Sequence, residues 1–135
     1  MAGTSTSAKR VLQILWFAFL VATAMYWMVM QMIPEHLRDV RVIRNVLMGV
    51  GGTLGAAVLY IRIARIGELL SKATPASAAE VAKLRSLYIL CFALSEAVAL
   101  YGFVLYFIGA SRAEIVPFFL AAAVLLLVCY PRFPQ

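Results

Sequence analysis

Residues 87–109 read LYILCFALSEAVALYGFVLYFIG, an apolar run in which Glu96 is the only charged residue. A run of about 18 or more apolar residues with few or no charges is typical of a transmembrane helix. We therefore predict that this segment crosses a membrane. The same prediction places one carboxylate inside the bilayer.

Three further apolar segments, at about 11–33, 45–61 and 115–130, flank this run. The first contains no charge and would form a helix about 34 Å long, enough for a hydrocarbon core of about 30 Å. Ala22-Thr23-Ala24 resembles a signal-peptide cleavage site, but the apolar run continues well beyond it, which favours a membrane span. The sequence thus predicts an all-α, polytopic integral membrane protein with four transmembrane helices in a single domain, 1–135.

The overall composition agrees with a membrane protein. Hydrophobic residues make up 64% of the chain and charged residues 13%, and the mean hydropathy is +0.95. Soluble domains are about 45–50% apolar and about 25% charged. The net charge of +6 comes from Lys and Arg just outside the apolar segments, where they orient the spans and contact anionic headgroups. We expect the lipid bilayer as a partner and no nucleic acid.

The residue types that support soluble enzyme chemistry are scarce. His36 is the only histidine, and Cys91 and Cys129 lie inside apolar segments without forming a C-x-x-C pair. This pattern predicts no metal site and no cofactor, and two buried thiols that act as small hydrophobes. Neither a Ser-His-Asp set nor a phosphate-binding loop is recognisable, so the chain is not predicted to be an enzyme.

The distribution of Lys and Arg predicts the orientation. The N-terminal tail 1–10, the polar loop 62–86 and the C-terminus carry eight basic residues, whereas the opposite side carries four. The positive-inside rule then places the loop and both termini in the cytoplasm of a cell with an inner membrane. We expect the tail to be flexible or interfacial, and Ser77 to cap a helical lead-in at 78–85 with Glu80 three residues on.

Glu96 is the residue most able to carry a function. An ionised carboxylate at the centre of a transmembrane helix costs about 2.5–3.5 kcal/mol, so such groups become protonated, find a partner or face water. We therefore assign Glu96, with Ser95 and Tyr101, as a candidate proton- or cation-binding site. The alternative is structural: Glu96 would hydrogen-bond to Ser95, to a tyrosine or to a neighbouring helix. No span contains a basic residue to pair with it.

Small residues predict close helix packing between the second and third spans. The second span contains Gly51-x-x-x-Gly55 and Gly52-x-x-x-Ala56, and the third carries a strip of small residues beside Glu96. Such patterns let transmembrane helices approach closely. We predict a tight hairpin with Glu96 at its edge, packed through Gly49, Gly51, Gly52, Gly55, Ala99 and Gly102.

Residues 93–104, ALSEAVALYGFV, resemble the carboxylate-bearing helix of rotary ATP synthase c subunits, in which Glu-Ala precedes an apolar-Tyr-Gly-apolar-Val run. The glycine-rich second span is similar to the first hairpin helix of that family. The resemblance, confined to these two spans, implies that Glu96 is a proton-binding carboxylate and that 62–86 faces the cytoplasm. The Ala-x-x-Glu-Ala and terminal Pro-Arg-x-Pro patterns also resemble small four-span bacterial membrane proteins of unknown function.

These observations leave three hypotheses open. The first is a proteolipid-like protein that oligomerises and binds a proton or cation at Glu96. The second is a non-catalytic accessory or assembly subunit of a larger membrane complex, since the chain is small and has short loops. The third is a small dimeric exporter, although the first span has no carboxylate of the kind that small exporters carry there.

Overall fold

The computed structural model describes residues 2–70 and 78–132. Its elements are α1 (Ala2–Met32), α2 (Arg41–Tyr60), a π-helical segment (Ile61–Ile66), α3 (Gly67–Leu70), α4 (Ala78–Ile108) and α5 (Arg112–Val128). These described ranges contain no strand. The predicted all-α fold is therefore confirmed.

Three helical segments are long and apolar enough to cross a membrane: Ser7–Met32, Arg41–Leu69 and Ala78–Ile108. They correspond to the first three predicted spans. The segment predicted as the fourth span forms α5, which has 17 residues and is about 25 Å long. It is thus shorter than the roughly 30 Å thickness of a typical hydrocarbon core.

The helices extend further than the sequence indicated. The predicted tail 1–10 is helical from Ala2 onward, and helix continues beyond α2 to Leu70, inside the predicted loop 62–86. The helical lead-in predicted at 78–85 is confirmed, because α4 begins at Ala78. Between Arg62 and Leu70 the physical reason is that Arg and Glu are good helix formers, so a helix need not end where its charged residues begin. The predicted Ser77 cap lies outside the described residues.

A three-residue turn joins α4 to α5. Gly109 has φ +135°, and a Cβ there would lie 2.7 Å from the carbonyl oxygen of His36. Only glycine tolerates this conformation at low cost. Ser111 then caps α5 by accepting a hydrogen bond from the Glu114 backbone N–H at 3.3 Å. So short a turn makes α4 and α5 antiparallel neighbours.

Helix α4 lies at the centre of the bundle and packs against α1, α2 and α5. Its buried side chains form much of the hydrophobic core. Large apolar side chains on the outside stay exposed, among them Phe17 and Met28 on α1, Val42 and Val46 on α2, and Leu120 on α5. Extensive apolar surface of this kind is rare on soluble monomers.

Polar contacts tie the helices together at both ends of the bundle. At the first end, the Tyr106 hydroxyl donates to the Ile33 carbonyl, Arg112 donates to the same carbonyl at 3.3 Å, and Arg44 pairs with Glu114 at 3.5 Å. We call this the connector end, because residues 33–40 and 109–111 lie there. It marks one boundary of the apolar part of the bundle.

The opposite end contains the start of α1, the end of α5 and the segment around Ile61–Ile66; we call it the terminal end. Trp16 Nε1 donates to the Leu126 carbonyl at 2.6 Å. The Tyr88 hydroxyl both donates to the Arg132 carbonyl, at 3.1 Å, and accepts from the Arg132 N–H, at 3.0 Å. Tyr88 and Tyr106 therefore mark the two ends of α4's apolar stretch.

Candidate functional site

A hydrogen bond between α1 and α4 forms the candidate site. The Tyr26 hydroxyl donates to Glu96 Oε1 at 3.0 Å. The two residues are 70 positions apart in the sequence, so only the packing of α1 on α4 brings them together. The pair contains one carboxylate and one neutral hydroxyl.

Glu96 lies near the middle of the bundle. Along α4 it is eight residues from Tyr88 and ten from Tyr106, which places it about 12 Å from one boundary and about 15 Å from the other at 1.5 Å per residue. These distances match the half-thickness of a hydrocarbon core, about 15 Å. Glu96 therefore lies about midway along α4 between the two ends of the bundle.

Aromatic contacts lie along the α1–α4 interface that contains the pair. The Tyr26 ring lies against Phe103, with centroids 5.4 Å apart, and Phe19 lies against Phe92 at 5.9 Å. Glu96 itself is half-buried. The carboxylate therefore has an apolar surround on the bundle side and an open side on the molecular surface.

The other two predicted members of the site do not join it. Ser95 is fully buried, and its hydroxyl donates to the Cys91 carbonyl at 2.7 Å within α4. Tyr101 is half-buried and makes no hydrogen bond to Glu96 within the described part of the chain. The sequence allowed a tyrosine partner for Glu96 but did not identify Tyr26, whose one signal was a tyrosine hydroxyl within the first span.

Basic side chains lie away from the carboxylate. Among the described residues Glu96 forms no ion pair, and the pair Arg44–Glu114 lies at the connector end. The partner that the structure gives Glu96 is the neutral Tyr26 hydroxyl, which donates to one of the two carboxylate oxygens.

The small residues of α4 contact α5 rather than α2 most closely. A Cβ on Gly102 would lie 2.8 Å from Phe118 Cβ and 3.2 Å from the Phe119 ring. Ala99, one turn before, is fully buried. The predicted tight hairpin of the second and third spans is therefore only part of the packing, because α5 occupies the closest approach.

The glycines of α2 fall into two groups. A Cβ on Gly51 would lie 3.8 Å from Phe118 and 4.0 Å from Val98, and one on Gly55 would lie 3.7 Å from Leu125, so both face the other helices. Gly49 and Gly52 have no such neighbour within 4 Å. Two of the four predicted packing glycines thus face the bundle and two do not.

The cysteines are buried as predicted, but they also meet. Cys91 on α4 and Cys129 at the end of α5 are both fully buried free thiols, and they lie next to each other at the α4–α5 interface. Within residues 2–70 and 78–132, no group of three or more His, Cys, Asp or Glu side chains could hold a metal ion.

No protein-family model matches the chain, and comparison with curated proteins and with solved structures found no similar protein or fold.

Proposed function

We propose that this chain is a small integral membrane protein whose Tyr26–Glu96 pair binds a proton near the middle of the bilayer. The observation that carries the proposal is the 3.0 Å hydrogen bond that joins a mid-depth carboxylate to a neutral hydroxyl. Intramembrane carboxylates are functional by default expectation. The resemblance of residues 93–104 to the carboxylate-bearing helix of c subunits agrees with this assignment.

The proposal includes a fourth membrane crossing by α5. This helix runs antiparallel to α4 along the same apolar stretch, and its outer face exposes Leu120, Val124 and Leu127. Four crossings put the chain's two ends on one side of the bilayer. By the positive-inside rule that side is the cytoplasm, and the membrane is an inner membrane.

A proton fits the pair better than a metal cation. Hard cations such as Ca²⁺ take about six to eight oxygen ligands, whereas a proton needs one oxygen. The pair offers a carboxylate and a hydroxyl. We therefore narrow the proton- or cation-binding site expected from the sequence to a proton site.

Proton exchange requires access to the carboxylate. Its open side lies on the surface of the single chain, where lipid would surround it. In a proteolipid-like oligomer a second copy would cover this side and create a path between copies. The proposal thus includes homo-oligomerisation, with the α1–α4 surface around Glu96 inside the interface.

Infrared difference spectroscopy of the full chain in lipid vesicles tests the proton site. The proposal expects a band from a protonated carboxyl group at neutral pH that disappears in Glu96→Gln. The matched control is Glu114→Gln, which removes a half-exposed carboxylate at the connector end. If the band were missing from the folded wild-type protein, or unchanged in Glu96→Gln, the proton site would be refuted.

A second candidate is an accessory subunit in which the same hydrogen bond is structural. It is favoured by the position of the bond, which links α1 to the central helix α4. Glutamine at position 96 still accepts from Tyr26, so Glu96→Gln should preserve folding and assembly with a partner complex. A loss of proton binding or flux in that variant with normal assembly would contradict the accessory role.

A further inference from the structure

An open apolar groove of about 630 Å³ lies between α2 and α5 on the outside of the bundle. On α2 its wall includes Gly52, Ala56 and Leu59, and on α5 it includes Pro117, Ala121 and Val124. Glycine, alanine and proline leave room that larger side chains would fill. The groove and the Tyr26–Glu96 pair lie on opposite sides of α4. The pair belongs to the contact between α1 and α4.

The length of the groove corresponds to one leaflet. On α2 it extends from Met48 to Leu59, which is about 16 Å of helix. One half of a hydrocarbon core is about 15 Å thick. A transmembrane helix from a partner would need a surface that continues through both leaflets, whereas a single acyl chain needs only this length.

A cation lies beyond the groove at the terminal end. Arg62 follows Leu59 by three residues, and its Nε donates to the Val128 carbonyl at 3.2 Å, so its side chain bridges the π-helical segment and the end of α5. A guanidinium has five N–H donors, and this bond uses one. Arg65 follows on the same segment.

The terminal end as a whole is positive. Within the described residues it carries two acidic residues and seven basic ones. The acidic residues are Glu68 and Glu80, and the basic residues are Lys9, Arg10, Arg62, Arg65, Lys83, Arg85 and Arg132. Basic clusters beside a membrane span attract anionic lipid headgroups.

We propose that the groove is a binding site for an anionic phospholipid, with one acyl chain between α2 and α5 and its phosphate at Arg62. The apolar wall and the one-leaflet length correspond to the acyl chain, and the cation at one end corresponds to the phosphate. The inference rests on the proposed membrane insertion and does not depend on proton binding at Glu96.

The test measures retention of added lipid by the full chain in detergent, using native mass spectrometry. The probes are phosphatidylglycerol and phosphatidylcholine with identical acyl chains. The variants are Gly52→Leu, which fills the groove, Gly49→Leu, which adds the same side chain outside it, and Arg62→Gln. Gly49 and Gly52 both have free space around a new Cβ, so both leucine variants should fold.

The wild-type chain and Gly49→Leu should retain phosphatidylglycerol in preference to phosphatidylcholine. Gly52→Leu should lose retention of both lipids, and Arg62→Gln should weaken phosphatidylglycerol binding about fivefold with little effect on phosphatidylcholine. Equal binding of the two lipids by the wild type, or equal behaviour of the two leucine variants, would overturn the proposal. A change of oligomeric mass in Gly52→Leu with unchanged lipid would show instead that the groove holds a second copy.

Two further readouts distinguish failure of the lipid site from failure of membrane insertion or of the proton site. If alkaline carbonate releases the chain from membranes without detergent, membrane insertion itself fails. If the chain stays integrated and Glu96 keeps its infrared band while lipid retention is insensitive to Gly52→Leu, only the lipid site fails.

Discussion

Tyr26 and Glu96 face each other across the α1–α4 interface, with the tyrosine hydroxyl donating to the carboxylate at 3.0 Å. The contact joins two polar groups that lie within apolar helices and that apolar packing alone does not explain. It also links the first helix to the centre of the bundle. Removing either partner should therefore have consequences for both stability and site chemistry.

We expect Tyr26→Phe to lower the free energy of unfolding by about 0.5–1.5 kcal/mol, because the variant removes the donor and leaves the ring packing intact. Chemical denaturation in detergent would measure the change. Tyr101→Phe is the control, since the Tyr101 hydroxyl makes no hydrogen bond to Glu96 in the described residues. Equal effects of the two variants would contradict a specific Tyr26–Glu96 bond.

Gly102→Ala should destabilise the protein by about 1–3 kcal/mol, as overpacking of a core does. The new Cβ would lie 2.8 Å from Phe118 Cβ, an atom that no side-chain rotation can move away. Gly52→Ala adds the same methyl group where nothing lies within 4 Å, and it should be neutral or stabilising. If both variants unfolded at the same denaturant concentration, α5 would not pack at Gly102.

Gly109→Ala should lower stability by about 1–3 kcal/mol, the usual range for backbone strain. Its φ of +135° is unfavourable for alanine, and the added Cβ would lie 2.7 Å from the His36 carbonyl oxygen. The comparison is Gly49→Ala, a glycine within α2 with open space around it. A Gly109→Ala variant as stable as Gly49→Ala would mean that the α4–α5 turn has a different conformation.

Arg44→Gln should change stability by less than about 1 kcal/mol, because its ion pair with Glu114 is about a third exposed on both sides. A double-mutant cycle with Glu114→Gln would isolate the coupling between the two side chains. A coupling energy above about 2 kcal/mol would show that this end of the bundle is much better shielded from water than the structure indicates.

Maleimide labelling should be slow at both cysteines of the folded protein. Cys91 and Cys129 have no exposed surface, and buried thiols react poorly. Mass spectrometry should find both labelled once the chain is unfolded in detergent and denaturant. Rapid labelling of Cys129 alone in the folded state would indicate that the end of α5 separates from α4.

The helical class was predictable because it rests on the length and composition of apolar runs, which need no tertiary information. The ends of the helices were less predictable. Charged residues such as Arg62 and Arg65 are compatible with helix, and the helical structure continues through them. Composition indicates where an apolar segment ends, but it does not indicate where the backbone hydrogen bonds of the helix end.

The site was predictable only in part. The sequence identified Glu96, because a single charge in an apolar run is visible without a fold. It could not identify Tyr26, because the register of α1 on α4 is set by packing along the whole interface. The strip containing Gly102 predicted a close helix approach, but small residues do not specify which helix approaches. The short turn that begins at Gly109 specifies the approaching helix, because it forces α5 against α4.

Carbodiimide labelling of the full chain in membranes, mapped by mass spectrometry at neutral pH, tests the central claim most directly, because the reagent modifies carboxyl groups that are protonated in an apolar environment. A proton site at Glu96 predicts modification of Glu96, its loss in Glu96→Gln, and little modification of Glu114 at the connector end. A folded protein in which Glu96 stays unmodified while Glu114 reacts would contradict the claim.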